Sequence, residues 1–482
     1  MKENVRTRFA PSPTGFMHIG NLRTCLYAYL FAKKEGGTFV LRIEDTDRER
    51  YVEGAVDLIY RTLKTAGITH DEGPDVGGNY GPYIQSERKD MYLEYAKKLV
   101  DLGGAYYCFC DKERLESLTD ENGNRKYDKH CLKLSKQEVE ERLKRGDKYV
   151  IRQNIPTDGE SSYEDLVFGK ITVKNEDMED NILIKSDLMP TYNFANVIDD
   201  HTMGINYVIR GVEYLSSTPK YNLIYDSFGW ERPKYIHLPP IMKDAQRKLS
   251  KRYGDANFED FINKGYLPEA IINYIALLGW SPKNNVEIMN MQELIELFSV
   301  DGISHSSSIF DEEKMKWMNG EYIKKLTAEE LADKAKDFYD RTKIKGKYDY
   351  VKLSKLLLTR IETFGEIADK VNFLEEFESY DVEWFDNKKM KCDKALSLKI
   401  VDESIKVLEK LKCFDEESLS GAVTEIAENL QVKKGQVYLT LRLAVTGKQS
   451  TPGGGVEMCD LLGKEESLKR LTFSRELLEK SL

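Results

Sequence analysis

Hydrophobic and polar positions along the first 85 residues recur at two periods in turn. Val5 to Ala10 is a short apolar-rich stretch that runs into the turn Pro11-Ser12-Pro13-Thr14-Gly15, which predicts a strand and its end. Ile19, Leu22, Leu26, Tyr29 and Leu30 then follow at three- and four-residue spacing, which predicts a helix with one buried face. Phe39 to Ile43 is a second strand, closed by the acidic run Glu44-Asp45-Thr46-Asp47, and Val56, Ile59, Tyr60 and Leu63 mark a second helix. Strand and helix alternating at this pitch predict a parallel sheet with crossover helices. The rhythm breaks near Gln85, and from there to about Pro190 come polar helices and short apolar runs such as Ile182-Leu183-Ile184, the signature of an inserted unit. It returns with Tyr207-Val208-Ile209, a helix near Tyr221 to Phe228, and Tyr235 to Leu238. Beyond about residue 325 the period is helical throughout: Leu326 to Tyr339, Val351 to Phe364, Leu396 to Leu411 and Leu468 to Leu478. Pro452-Gly453-Gly454-Gly455 interrupts it as a loop.

Composition bounds this picture. The 482 residues suffice for roughly three or more compact units of about 150 residues each. Hydrophobic residues make up 41% and charged residues 32%, enough for sizeable cores under a well-wetted surface. No apolar run reaches the length of a membrane span, and Met1 to Phe9, with Lys2, Glu3, Arg6 and Arg8, does not read as a secretory signal, so a cytoplasmic protein is expected. The net charge of −10 argues against a protein coated in nucleic acid but leaves room for a local basic stripe. Seven cysteines, without a disulfide-like rhythm, are expected to be reduced thiols.

Two short motifs suggest phosphate chemistry. His18-Ile19-Gly20-Asn21 stands where strand, turn and helix meet, and a helix start offers free N–H groups and a positive dipole end to phosphate oxygens. An imidazole there can donate to a phosphate, and Gly20 lets a nucleotide approach the backbone. Lys248-Leu249-Ser250-Lys251-Arg252 places three cations in five residues on a loop after the last strand, where they can neutralise a triphosphate. Read alone, the first is equally an ordinary helix start and the second a solvated basic loop.

Taken together, in this order on a divided sheet, the two motifs resemble the signatures of the class I aminoacyl-tRNA synthetases, His-Ile-Gly-His and Lys-Met-Ser-Lys-Ser. Asn21 stands in place of the second histidine, and Leu249 and Arg252 in place of Met and Ser. Further blocks resemble the bacterial glutamyl branch of that family: Arg8-Phe9-Ala10-Pro11-Ser12-Pro13-Thr14-Gly15, Arg42-Ile43-Glu44-Asp45-Thr46-Asp47, Asp71-Glu72-Gly73-Pro74, Gln85-Ser86-Glu87-Arg88, Pro190-Thr191-Tyr192-Asn193-Phe194-Ala195-Asn196 and Val208-Ile209-Arg210-Gly211-Val212-Glu213. The resemblance covers most of residues 5 to 325 and is more diffuse to the end. It implies an α/β fold: a split Rossmann-type parallel sheet with an inserted acceptor-binding domain, followed by a mostly α-helical anticodon-binding half. The expected limits are 1–86 and 191–240 for the two catalytic halves, 87–190 for the insertion, 241–325 for a stem-contact region with the basic loop, and 326–482 for the helical unit.

The resemblance also implies an activity. ATP activates L-glutamate to glutamyl-adenylate, and the glutamyl group passes to the 3′-terminal adenosine of tRNA(Glu); the alternative is an enzyme that also glutamylates tRNA(Gln). His18, Lys248 and Lys251 are the implied catalytic residues, with Gly15, Gly20 and Ser250 joining them around ATP. Arg8, Arg210 and Tyr192 are implied to hold the side-chain carboxylate, Glu44 the α-ammonium, with Ala10, Ser12 and Asn196 beside them. Arginine suits a carboxylate because its planar fork gives paired charged hydrogen bonds, though a structural salt bridge to Glu44 or Glu213 is the plainer fate for Arg8 and Arg210. ATP and Mg2+ are the implied cofactors, and a monomer is expected. Arg360 stands near where some members read the anticodon. Cys108-Phe109-Cys110 with Tyr127 and Cys131 is similar to the zinc site of glutamyl-Q synthetase-like relatives, so one structural Zn2+ is expected, with Tyr127 or His130 as the fourth ligand. Three rival readings remain. Glutamyl-Q synthetase is shorter, a nucleotidyltransferase would not need Arg8, Arg210 or the helical half, and a non-catalytic paralogue would not need His18, Lys248 and Lys251.

Overall fold

The computed structural model describes residues 4–46, 52–118, 126–249, 257–375 and 377–482. Two compact units result, residues 1–261 with 271–311 and residues 262–270 with 312–482.

In the first unit, β1 (Arg6–Phe9) pairs in parallel with β2 (Thr38–Leu41), Arg6 opposite Thr38 and Phe9 opposite Leu41. α1 (Ile19–Lys34) makes the crossover between them. The spacing predicts one buried face, but the helix is buried on nearly all sides from Ile19 to Ala32. The second face carries Arg23 and Tyr27, which read as polar yet are satisfied by carbonyls: Arg23 Nη1 donates to Leu278 O at 2.9 Å and the Tyr27 hydroxyl to Ala276 O at 2.9 Å. α2 (Ala55–Thr65) buries Ile59 and Leu63, as an amphipathic helix should.

α3 (Lys89–Asp101) opens the stretch in which the early rhythm is lost. A three-stranded antiparallel sheet follows, in the order β3 (Ala105–Cys108), β4 (Val150–Gln153) and β7 (Ile182–Ile184). The short helices α4 (Lys112–Glu116) and α5 (Lys136–Lys144) lie between β3 and β4 in sequence. Between β4 and β7 a hairpin, β5 (Glu160–Asp165) and β6 (Gly169–Lys174), leaves this sheet and joins another. That sheet runs β6-β5-β9-β8, with β8 (Tyr207–Gly211) and β9 (Lys234–Leu238) parallel and β5 attached to β9 through Asp165 opposite Tyr235. The expectation of a parallel sheet from the strands before and after the insertion is met by β1–β2 and β8–β9; the hairpin, which comes from within the insertion, adds β5 parallel to β9 and β6 antiparallel, because a short loop can only join antiparallel strands. β1 lies along β8: Asn206 N donates to Arg6 O at 3.2 Å, and Arg6 N to Asn206 Oδ1 at 2.7 Å. α6 (Tyr192–Thr202) and α7 (Thr218–Phe228) bury Phe194, Ile198, Tyr221 and Ile224 against α3 and the small sheet.

Beyond β9, β10 (Ile241–Met242) pairs in parallel with β11 (Ser308–Ile309). α8 (Phe258–Asn263) and α9 (Pro268–Leu277) carry the chain between the units, and α10 (Met291–Leu297) is capped by Asn290 and Glu293. No helix among the described residues is long and apolar enough to cross a membrane.

The second unit is helical from α11 (Glu312–Ile323) onward and encloses its own core, including Leu267, Ile323, Leu357, Ile400, Val437 and Leu478. The run Leu326 to Tyr339 divides into α12 (Ala328–Lys334) and α13 (Lys336–Asp340), because buried Ala335 leaves helical geometry at φ −95°, ψ 6°. The run Val351 to Phe364 is helical only as α14 (Tyr350–Leu357), with the short α15 (Ile367–Val371) after it. α16 (Lys394–Lys410), α17 (Glu416–Leu430), α18 (Lys434–Thr446) and α19 (Gly455–Ser481) complete the unit, α19 with a kink at Gly463.

Candidate functional site

β1 delivers its last residues into an irregular turn that ends at the start of α1. Gly15 takes φ +109° there, a conformation strained for any side chain. His18 is the N-cap of α1: its Nδ1 accepts from Gly20 N at 3.0 Å, so the ring proton sits on Nε2, a donor. A Cβ on Gly20 would stand 3.1 Å from that Nδ1 and press on the cap. After β10, exposed Lys248 pairs with Met242, and Leu249 N donates to Ile241 O at 3.0 Å. Ser250, Lys251 and Arg252 lie outside the described residues, as does Asp47. Asn257, the next described residue, pairs antiparallel with His18 at the helix start.

A cavity of about 470 Å³ opens beside that start, at the ends of β1 and β8. Arg8, Ala10, Ser12, Glu44, Tyr192 and Arg210 line it together, with Asn21, Thr24, Thr46, Glu213 and Tyr214. Gly15, His18, Gly20 and Lys248 are not among its lining residues. Asn196 is also absent from the wall: buried one turn along α6, its Nδ2 donates to Tyr192 O.

A closed charge network runs inward from Arg8 and Glu44 in the cavity wall. Arg8 Nε meets Asp200 Oδ1 at 3.0 Å; Arg42 meets Asp200 at 2.8 Å, Glu44 at 3.0 Å and Asp199 at 3.7 Å; Arg88 Nε meets Asp199 Oδ1 at 2.8 Å. Three guanidinium groups thus balance three carboxylates, all buried. Burial opposes the Asp200 charge, but Arg8 and Arg42 overcome it and hold the carboxyl below its usual range. At Glu44 burial wins over Arg42 and Arg8, and its carboxyl titrates above the usual range. Arg8 therefore pairs with Asp200, and neither Glu44 nor Glu213 is its salt-bridge partner.

Arg210 is a fourth buried guanidinium, and its bonds are of another kind. Nε donates to His237 Nε2 at 3.1 Å and Nη2 to Thr218 Oγ1 at 2.7 Å, while the rings of Tyr214, Tyr221 and Tyr235 stand 5.0–5.3 Å away. No carboxylate among the described residues forms a salt bridge with it. Burying a cation without an anion is costly unless one arrives. Burial, and Glu44 after it, also push the Tyr192 phenol well above its usual range, so it stays a neutral donor. The residue types give no sign that Asp200, His237, Thr218 or Asp165 take part, although the acidic pair Asp199-Asp200 within an apolar helix face is a signal that could have been read.

The cysteine cluster sits where β3 meets the short turn His130–Lys133. The sulfurs of Cys108, Cys110 and Cys131 lie within 4.8 Å of one another, Cys110 and Cys131 at 3.5 Å. The Tyr127 hydroxyl is 3.3 Å from Cys108 Sγ and 3.5 Å from Cys110 Sγ. A tetrahedral zinc with Zn–S of about 2.3 Å would hold its sulfurs about 3.8 Å apart, so the donors fit. The hydrogen bond from Cys131 lowers the Cys108 thiol, and burial raises the Tyr127 phenol. His130 is exposed and outside the group.

In the second unit Arg360 lines a cavity of about 890 Å³ with Lys316, Lys324, Lys370 and Lys448, against Glu362, Glu366 and Asp369.

Residues 4–317 match the family of class I tRNA synthetases (E and Q), catalytic domain, and residues 323–474 an anticodon binding domain. The chain is 55% identical over 483 residues to a glutamate–tRNA ligase of Clostridium novyi, covering 100% of this chain and 99% of that one. A glutamate–tRNA ligase of Clostridium kluyveri is 54% identical over 479 residues, with 98% of each covered. A solved glutamate tRNA ligase of Elizabethkingia meningosepticum, in complex with its amino acid, superposes with a TM-score of 0.88 at 34% identity, covering 99% of this chain and 100% of that chain. Matched from end to end in sequence and in fold, the chain belongs to the class I tRNA synthetase family, within its glutamate–tRNA ligase branch.

Proposed function

We propose that this protein uses ATP to activate L-glutamate and passes the glutamyl group to the 3′-terminal adenosine of tRNA(Glu), acting in the cytoplasm as a monomer. The observation that carries the substrate is Arg210, a buried guanidinium with only neutral partners beside a charge network that is already balanced. An incoming side-chain carboxylate supplies the missing charge, and each charged hydrogen bond it gains is worth about 1.5–3 kcal/mol. Glutamine would bring a neutral amide and leave the guanidinium unmatched. Arg8 and Tyr192 complete the carboxylate site, Glu44 takes the α-ammonium, Ser12 and Ala10 shape the pocket, and Asn196 acts from behind the wall through its bond to Tyr192 O.

The glutamate α-carboxylate is already ionised, so attack on the α-phosphorus needs no general base. The work of the protein is alignment and charge stabilisation. His18 Nε2–H serves the phosphates, with Gly15, Gly20 and Ser250 around the nucleotide, and Lys248 and Lys251 meet the charge that builds as pyrophosphate leaves. Mg2+ accompanies the triphosphate. Residues 87–190 would bind the acceptor stem and 241–325 contact the stem, with 1–86 and 191–240 forming the catalytic halves. In 326–482 the Arg360 cavity would meet the anticodon. A structural Zn2+ held by Cys108, Cys110, Cys131 and Tyr127 would cross-link β3 to the turn after it.

The test is charging of purified tRNA(Glu) and tRNA(Gln), side by side, with radiolabelled glutamate and glutamine. Glutamylation of tRNA(Glu) and none with glutamine is expected. Glutamylation of tRNA(Gln) as well would establish the broader specificity, and charging with glutamine in preference would overturn the reading.

A further inference from the structure

Arg210 cannot accept a hydrogen bond, so His237 Nε2, 3.1 Å from Arg210 Nε, must present a lone pair and the ring proton must sit on Nδ1. Nδ1 stands 2.6 Å from Asp165 Oδ2, which takes that proton as an acceptor. Asp165 is itself fixed, its Oδ1 accepting from the backbone of Val167 at 2.9 Å and Phe168 at 2.8 Å. On the other arm, Thr218 donates its hydroxyl proton to Tyr214 O at 2.7 Å, which leaves an oxygen lone pair for Arg210 Nη2. His237 and Asp165 are 0% and 1% exposed. The Nε side of the guanidinium is thus held by acceptors that carry no charge, each oriented by a third group.

We propose that His237, locked in its Nδ1–H tautomer by Asp165, is a positioning residue for amino-acid recognition, fixing the Arg210 fork toward the cavity without neutralising it. The inference rests on Arg210 receiving the substrate carboxylate. A carboxylate in place of His237 would hold Arg210 equally well but would cancel the charge the substrate must meet. An apolar residue would keep the charge and lose the aim. The geometry also makes the device sensitive to acid. A proton on Nε2 turns the acceptor into a second donor and a second cation beside Arg210. Burial and the Arg210 charge lower the His237 pKa while Asp165 raises it. The other titratable groups around it are Tyr163 on β5, Tyr235 on its own strand, Tyr221 on α7, and Glu213 and Tyr214 in the turn after β8.

The experiment is steady-state glutamylation of tRNA(Glu) by the full-length chain, with KM determined separately for glutamate and ATP. His237→Asn keeps an amide donor near the Nδ1 position and removes the acceptor for Arg210; His237→Gln puts an amide oxygen near the Nε2 position and restores it. KM for glutamate is expected to rise about tenfold or more in H237N, as for a charged hydrogen bond lost, and to return most of the way in H237Q. KM for ATP should move by less than about twofold in both. In the parent, KM for glutamate should rise with falling pH only below the ordinary imidazole range, because burial lowers the His237 pKa, and more steeply than in H237Q, where the raised Glu44 carboxyl titrates alone. Equal rises in both variants, or a KM for glutamate that climbs with acid as steeply in H237Q as in the parent, would overturn the proposal, and a urea midpoint for each variant close to the parent's shows that both are folded. A parent that charges no tRNA with glutamate would instead overturn the function on which the proposal rests, before any substitution is made.

Discussion

Arg8 and Arg210 both line the cavity, yet the arithmetic of buried charge separates them. Arg8 belongs to a set of three cations and three anions, and Arg210 stands outside it. Asp200 serves two of those cations, so Asp200→Ala strands Arg8 and leaves Arg42 to Glu44 and Asp199 alone. A stability loss of about 3–5 kcal/mol is expected, read as a lower midpoint in urea. Arg210→Ala, in contrast, breaks no salt bridge and takes a donor from two neutral acceptors, His237 and Thr218: the stability loss should be smaller, about 1–3 kcal/mol, while kcat/KM for glutamate falls by about 1.5–3 kcal/mol or more of transition-state binding. Equal stability losses in the two variants would contradict this division. The sequence blocks name Arg8, Glu44, Tyr192 and Arg210 because each sits in a short, recognisable run. Asp200, His237 and Asp165 are illegible in sequence for a physical reason. Asp200 comes from α6, His237 from β9 and Asp165 from a hairpin far along the chain, and their roles exist only once strand pairing puts them beside an arginine.

At the scale of elements, periodicity reads well where one side of a helix faces solvent, as in α2 and α16, and less well where it does not. α1 is buried on a second side by Arg23 and Tyr27, whose polar ends reach carbonyls; a hydropathy pattern scores such residues as surface. The division at Ala335 is equally silent, since alanine is the best helix former and only packing bends the chain there. Nothing in the hydropathy pattern ties the β5–β6 hairpin to the larger sheet, because one residue pair, Asp165 with Tyr235, makes the junction. The cysteine-bearing turn is held to β3 by sulfur and hydroxyl contacts of 3.3–3.5 Å, with Arg152 stacked 4.3 Å from the Tyr127 ring. Protein purified without added zinc should carry it near one-to-one, and a strong chelator should lower the melting temperature, because metal binding contributes directly to folding. Metal analysis finding no zinc, or Cys131→Ser retaining it in full, would count against the site.

Across the whole molecule, the two compact units do not follow one another along the chain. Residues 262–270 belong to the helical unit and 271–311 to the first. Leu267 and Ala270 are buried in the helical core, and Leu267 N donates to Asn319 Oδ1 at 2.8 Å. A fragment beginning at Glu312 lacks all of these, whereas one beginning at Ile262 retains them. The shorter fragment should be less stable by about 2–5 kcal/mol, the cost of losing a buried leucine, as measured by chemical denaturation of the two peptides. Two separate cores also argue for more than one unfolding step in the full chain.

The interleaving has a practical edge for anyone wishing to build a two-piece or inducible version of this ligase. A gene cut at residue 311 would give halves that each look whole on a map, yet the downstream half would arrive without part of its own interior. The missing nine residues would have to be supplied in trans by the upstream half, or duplicated at the head of the second reading frame.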